Sequence, residues 1–193
     1  MTTRSWATLA AWAGVVVVVV AGPGCVRYTG PARSVSPAAV ESPGWLRATG
    51  VPVLRQRGAE DCGRAAAAMV SGRWRPGVAL PAGKVPRGGL RGVDVRQLLR
   101  AQGLAAFVIK GELADLEHEL GLGRPVIVGT VKALSDGRAL THFEVVVALH
   151  PEQHQVVTLD PAAGWRQSSY QGFVSEWSRA RYSAVVTLGP ASP

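Results

Sequence analysis

Residues Val51–Trp74 read VPVLRQRGAEDCGRAAAAMVSGRW. An extended apolar lead-in (Val51, Val53, Leu54) runs into Gln56 and a short polar loop with Gly58 and Glu60. Asp61-Cys62-Gly63 then opens an alanine-rich run, Ala65 to Val70, of high helix propensity. This pattern predicts a helix over Cys62–Trp74 with Cys62 at its N-terminus. Exposed N–H groups and the helix dipole favour a thiolate there, the reactive form of cysteine. Gln56, six residues upstream, can fold its amide back beside the sulfur. With the Cys62 backbone N–H it would make an oxyanion hole. The ordinary reading of a cysteine is a small buried hydrophobe, so the chemical reading needs a base and an orienting acid downstream.

Outward from that stretch, the second half is β-rich. Pro125–Val131 reads as a buried strand, Ala133–Leu140 as a polar turn and Thr141–Leu149 as the next strand. Gln155–Leu159 pairs back as a hairpin past a turn at His150–His154, and Asp160-Pro161 ends it. Ser168–Arg179 reads as a helix and Tyr182–Leu188 as a last strand. Between the halves, Arg75–Gly92 is proline- and glycine-rich loop. Asp94–Gln102 is an amphipathic helix stopped by Gly103, Leu104–Ile109 is a strand, and Leu113, Leu116 and Leu120 mark a further helix ended by Gly121 or Gly123. Helices first and antiparallel strands after make an α+β layout.

Of the four histidines, His118 lies between two glutamates on a helix, and His150 and His154 flank a turn. His142 differs, because it begins a strongly apolar strand that would hold its ring firmly. The hairpin from Thr141 to Asp160 brings Asp160 to the same end. A carboxylate there takes the imidazole N–H, fixes the tautomer and stabilises the imidazolium. The constellation is Cys62 as nucleophile, His142 as base and acid, Asp160 as orienter and Gln56 as oxyanion donor. A metal site on Cys62, His142 and Asp160 lacks a fourth ligand at a recognisable spacing, and no cofactor is expected.

Gln56 six residues before Cys62, Asp61-Cys62-Gly63 before an Ala/Met-rich helix, the helix at Val93–Gly103, Arg124–Val128, Thr141–Val146 and Leu159-Asp160-Pro161 together resemble the papain-like double-glycine peptidases. These are the bacteriocin-processing cysteine peptidases found at the front of peptide-exporting ABC transporters and as stand-alone proteins. The resemblance runs from about Pro52 to Leu188. It implies a papain-like α+β fold, its N-terminal helices packed on a C-terminal antiparallel sheet. It also implies cleavage after Gly-Gly in peptide precursors, with Cys62, His142, Asp160 and Gln56 in the roles given above and a peptide-exporting transporter as partner. Two other classes share these residues: a peptide-binding module that does not cut, and acyl transfer of the transglutaminase or amidase kind.

The chain has 193 residues, is 47% hydrophobic and carries a formal charge of +8; its 21 basic residues include three lysines. No like-charge block or basic stripe with interleaved aromatics appears, so nucleic acid is not an expected partner. Two cysteines make no disulfide framework. Residues 1–25 read as a signal peptide: Arg4, then a continuous apolar run Ala7–Ala21, then Gly22-Pro23-Gly24-Cys25. The apolar run, about 15 residues, is short beside the roughly 20 of a membrane span. Cys25 after small residues resembles a bacterial lipoprotein signal, with lipid on Cys25; plain cleavage and an uncleaved anchor are the alternatives. Residues 26–50, rich in Pro, Ser, Gly and Ala, are expected to be a flexible linker, and residues 51–189 the catalytic domain. The expected location is the cell envelope, tethered to the membrane or free outside it. Transporter-linked relatives work on the cytoplasmic side, so an exported member would meet other substrates.

Overall fold

A computed structural model describes residues 28–81 and 83–191. The expectations of a signal peptide and of lipid on Cys25 lie outside the described residues.

The alanine run forms α1, Cys62–Trp74, as its propensity requires. It packs into the core through Ala66, Ala67, Met69 and Val70, none of them exposed. The loop that follows leads to α2, Gly92–Arg100. This helix starts two residues earlier than its apolar pattern indicates, because Asp94 accepts the Arg91 backbone N–H at 2.9 Å and closes the first turn. Gly103, at φ +71°, turns the chain into β3, Leu104–Lys110. Then come α3 (Leu113–Gly121), β4 (Val126–Ala133), β5 (Ala139–His150) and β6 (Gln155–Asp160). The chain ends with β7 (Gly164–Ser169), α4 (Tyr170–Arg179) and β8 (Ser183–Pro190).

β7 escapes the sequence pattern. GWRQSS has no alternation of apolar residues, yet all six positions pair with β6, from Gln155↔Ser169 to Asp160↔Gly164. The last helix therefore begins at Tyr170, where Ser169 caps it by accepting the Gly172 N–H at 3.1 Å.

Residues 26–50 were expected to be a flexible linker, and over residues 28–50 the structure corrects this. Two short strands precede α1: β1, Arg33–Ser34, and β2, Leu46–Arg47. β1 pairs with β7, and β2 pairs with Leu149 and Ala148 along the edge of β5 that β4 leaves after Val146. Tyr28 makes an antiparallel bridge to Leu134, Thr29 N–H reaches Ala133 O at 3.0 Å, and Trp45 sits edge-on against the buried His150 at 5.3 Å. Backbone hydrogen bonds, blind to side-chain pattern, hold the segment down. Val51–Leu54 is the reverse case: it joins no strand.

The sheet order is β1-β7-β6-β5-β4-β8-β3, and every pair is antiparallel. α1 and α2 share one core with Ile127, Phe143, Val145 and Val185. Leu116, Leu120, Phe173 and Trp177 of α3 and α4 share another with Val128, Val146 and Ala184. The α+β fold is as expected, with the helices divided between the two faces of the sheet. Among the described residues, no helix is long and apolar enough to cross a membrane.

Met69 has no exposed surface and anchors α1 in its core. Met69→Ala is expected to lower unfolding stability by about 2–5 kcal/mol, measured by denaturant titration; a change below about 1 kcal/mol would mean that α1 is not held this way.

Candidate active site

Cys62 is the first residue of α1, and its side chain is buried. Helix register and close packing place it. A Cβ on Gly63 would lie 3.1 Å from Leu90 and 3.2 Å from both Phe143 and Val95, so the first turn of α1 rests directly against β5 and α2. His142, on β5, is 1% exposed, as is Asp160 at the end of β6. His142 Nε2 and Asp160 Oδ1 are 2.8 Å apart. Asp160 Oδ1 also accepts the Ala162 and Ala163 backbone N–H groups at 2.7 and 3.1 Å, which fixes the carboxylate.

The Cys62 thiol lies close enough to His142 and to the backbone N–H groups of Phe143 and Gly63 for each of them to lower its pKa. Since Nε2 is taken by Asp160, Nδ1 is the ring nitrogen left for the sulfur. Burial pushes the thiol pKa up, but the bond to His142, its charge and the two N–H groups outweigh that and hold it below the ordinary thiol value. Burial likewise pushes His142 down, yet the bonds to Asp160 and Cys62 and the charges of Asp160 and Glu144 carry it up to about 10. Asp160 is raised by burial and lowered by more through its bond to His142 and that ring's charge, for a net fall. All three directions favour thiolate, imidazolium and carboxylate together.

Gln56 is tied to the same corner, its backbone N–H on Pro161 O at 3.0 Å. Its side-chain Nε2 donates to Gly58 O at 2.9 Å, which leaves the second amide hydrogen for another acceptor. Gln56 lines an open cavity of about 700 Å³ together with Tyr28, Arg166 and Ala162. Cys62, His142 and Asp160 thus come together, and Gln56 is tied to Pro161, the residue after Asp160. His118 is exposed on α3, as its flanking glutamates imply, whereas His150 is buried under Trp45 rather than an ordinary turn histidine.

Two neighbours of the site were not legible in sequence. Tyr28 places its ring 5.8 Å from that of His142. Lys132, 3% exposed, forms ion pairs with Glu144 and, at 2.5 Å, with Glu176. Its ammonium lies 6.0 Å from the Tyr28 ring centre and adds to the lowering of Asp160. A lysine inside VIVGTVKA was the available signal: strand alternation puts it on the same buried face as Val128 and Thr130. His142, Glu144 and Asp160 offer ligand atoms within 4.8 Å of one another, but the His142–Asp160 bond and the Lys132–Glu144 pair already engage all three.

The model of the Peptidase C39 family matches residues 50–187. Comparison with curated protein sequences yields no match. Among solved structures, the peptidase domain of Streptococcus ComA, a bifunctional ABC transporter of a quorum-sensing pathway, is similar at TM-score 0.59 and 22% identity, over 73% of this chain and 99% of that one. A double-glycine motif protease from an AMS/PCAT transporter, solved with its leader peptide, is similar at TM-score 0.52 and 23% identity, over 73% and 92%. A proposed C39-like peptidase from Bacillus anthracis is similar at TM-score 0.58 and 14% identity, over 77% and 99%.

The lowered thiol pKa makes a signed prediction. Thiolate persists as pH falls and is lost only below the depressed value, while the imidazolium is lost as pH rises through about 10. The rate of Cys62 alkylation by iodoacetamide, followed by mass spectrometry, should therefore fall off at a lower pH than that of a free thiol, whose pKa is about 8.5. In His142→Ala the midpoint should move up to the ordinary thiol range or beyond. Equal midpoints in the two proteins would show that the ring does not set the thiol.

Proposed function

The chain belongs to the Peptidase C39 family, a family of cysteine peptidases, and from that premise we propose that it hydrolyses peptides through Cys62, His142, Asp160 and Gln56. The carrying observation is the buried run from thiol to imidazole to carboxylate. The Cys62 thiolate attacks the scissile carbonyl carbon, and the charge moves to its oxygen. The second Gln56 amide hydrogen and the Cys62 backbone N–H are the donors for that oxyanion. The C–N bond breaks as His142 gives its proton to the leaving nitrogen, and a thioester remains. Neutral His142 then takes a proton from water, the hydroxide adds to the thioester, and the acid is released as the thiolate re-forms beside the imidazolium. Asp160 holds the ring throughout and stabilises its charged form.

The finer reading is cleavage after Gly-Gly in a peptide precursor. It is supported by the motifs around Gln56 and Cys62 and by the fold shared with a double-glycine motif protease solved with its leader peptide. A peptide-exporting transporter is the partner that goes with it. The N-terminal sequence supports export and attachment to the membrane through lipid on Cys25.

A quenched-fluorescent peptide containing Gly-Gly should be cut after the second glycine by the full chain and left whole by Cys62→Ala. Gln56→Ala should lower kcat by about 10²–10³-fold while Cys62 alkylation continues; an intact peptide with the unaltered protein would rule out the Gly-Gly assignment. For the anchor, expression in a bacterial host with an alkyne-tagged fatty acid should label the unaltered chain and leave Cys25→Ser unlabelled; equal labelling would place the lipid elsewhere.

A further inference from the structure

The cavity bordered by Gln56 and by Ala162, whose N–H is bound to Asp160, carries a charge that the peptidase chemistry does not use. Among the described residues its charged lining residues are Arg138 and Arg166, and no carboxylate lines it. The Arg138 charge is already matched, since its Nε donates to Asp136 at 2.7 Å. Arg166 is different. Its guanidinium donates to Ser34 Oγ at 2.9 Å and to Ala32 O, both uncharged. Among the described residues no carboxylate oxygen lies within ion-pair distance of it, and Glu176, which feels it from further away, is committed to Lys132.

Arg166 is half-buried on β7, and the two groups that aim its guanidinium belong to the N-terminal segment. The same segment supplies Tyr28, which stands between the cavity and His142. Residues 28–49 lie outside the 50–187 match to the family. On the far side Ala162, whose N–H is bound to Asp160, and Gln56 complete the lining. A part-desolvated guanidinium with no carboxylate at ion-pair distance, at the rim of a cavity bordered by Gln56 and by Tyr28, the ring neighbour of His142, is a receptor for a carboxylate.

We infer that the cavity walled by Tyr28 and Arg166 is a subsite for an acidic side chain of the peptide substrate, with Arg166 as the specificity-determining residue. The inference rests on the peptidase reading above and adds a substrate class to it. Charge-assisted bonds to a carboxylate are the stronger kind, so an acidic residue in this subsite should be favoured over its amide by about tenfold or more in kcat/KM.

The test uses the full chain and quenched-fluorescent Gly-Gly peptides in which Glu, Gln or Lys is scanned over the residues on either side of the glycines. The same peptides are scored for protection of Cys62 from iodoacetamide, so that binding preference is read where cleavage is slow. At one position Glu should exceed Gln by about tenfold or more, Lys should be the poorest, and the preference should shrink as salt is raised. Arg166→Gln, which removes the charge, should bring the Glu/Gln ratio close to one while the Gln peptide is still cut. Arg166→Lys should keep part of the preference. Equal cleavage and equal protection by Glu and Gln at every position would overturn the subsite and leave the peptidase reading standing. A Glu preference that survives in Arg166→Gln would overturn the assignment to Arg166. Loss of all cleavage together with a Cys62 unreactive toward iodoacetamide would remove the peptidase reading itself, and this one with it.

Discussion

The imidazole of His142 has to touch a sulfur on one side and a carboxylate on the other, and most of the architecture serves that placement. The sulfur belongs to the first turn of a helix, the carboxylate to the end of a strand, and the ring to the strand between them in the sheet. Such a chain tolerates little displacement of α1 relative to β5. Gly63 shows how little is available: the space where a side chain would begin is taken by Leu90, Val95 and Phe143. The helix is therefore positioned by a missing methyl group as much as by the alanines that make it helical.

Burying so much charge in one corner needs compensation. A lone carboxylate or ammonium taken out of water costs several kcal/mol, and Cys62, His142, Glu144, Asp160 and Lys132 are all buried here. Each is offset by a neighbour. His142 lies between Cys62 and Asp160, and Lys132 between Glu144 and Glu176, with backbone N–H groups on Asp160 and on the sulfur. The two ion-paired groups also sense one another, because Glu144 raises His142 and Lys132 lowers Asp160. The reactive pair thus sits on a polar foundation laid across β4, β5 and α4.

The N-terminal segment supplies part of the cavity's rim. Tyr28, Ala32 and Ser34 are contributed by residues that precede the family-matched core, yet they border the cavity or aim the arginine that does.

Local physics was enough for much of this. Alanine propensity gave the limits of α1 to the residue, apolar runs marked β4, β5 and β6, and Gly103 ended its helix with the left-handed turn that only glycine takes easily. The candidate site was legible in part for a related reason: Cys62 opens α1, Asp160 ends β6 and His142 lies near the start of β5, whereas Gln56 belongs to no helix or strand. β7, the docking of residues 28–50 and the burial of Lys132 were hidden, because none is written in local periodicity. A strand such as GWRQSS forms because β6 offers an open edge, and Tyr28 lies by His142 because the backbone around it pairs with Leu134 and Ala133. Hydrogen bonds between backbones carry no residue code, so which distant edges meet is settled when the chain packs.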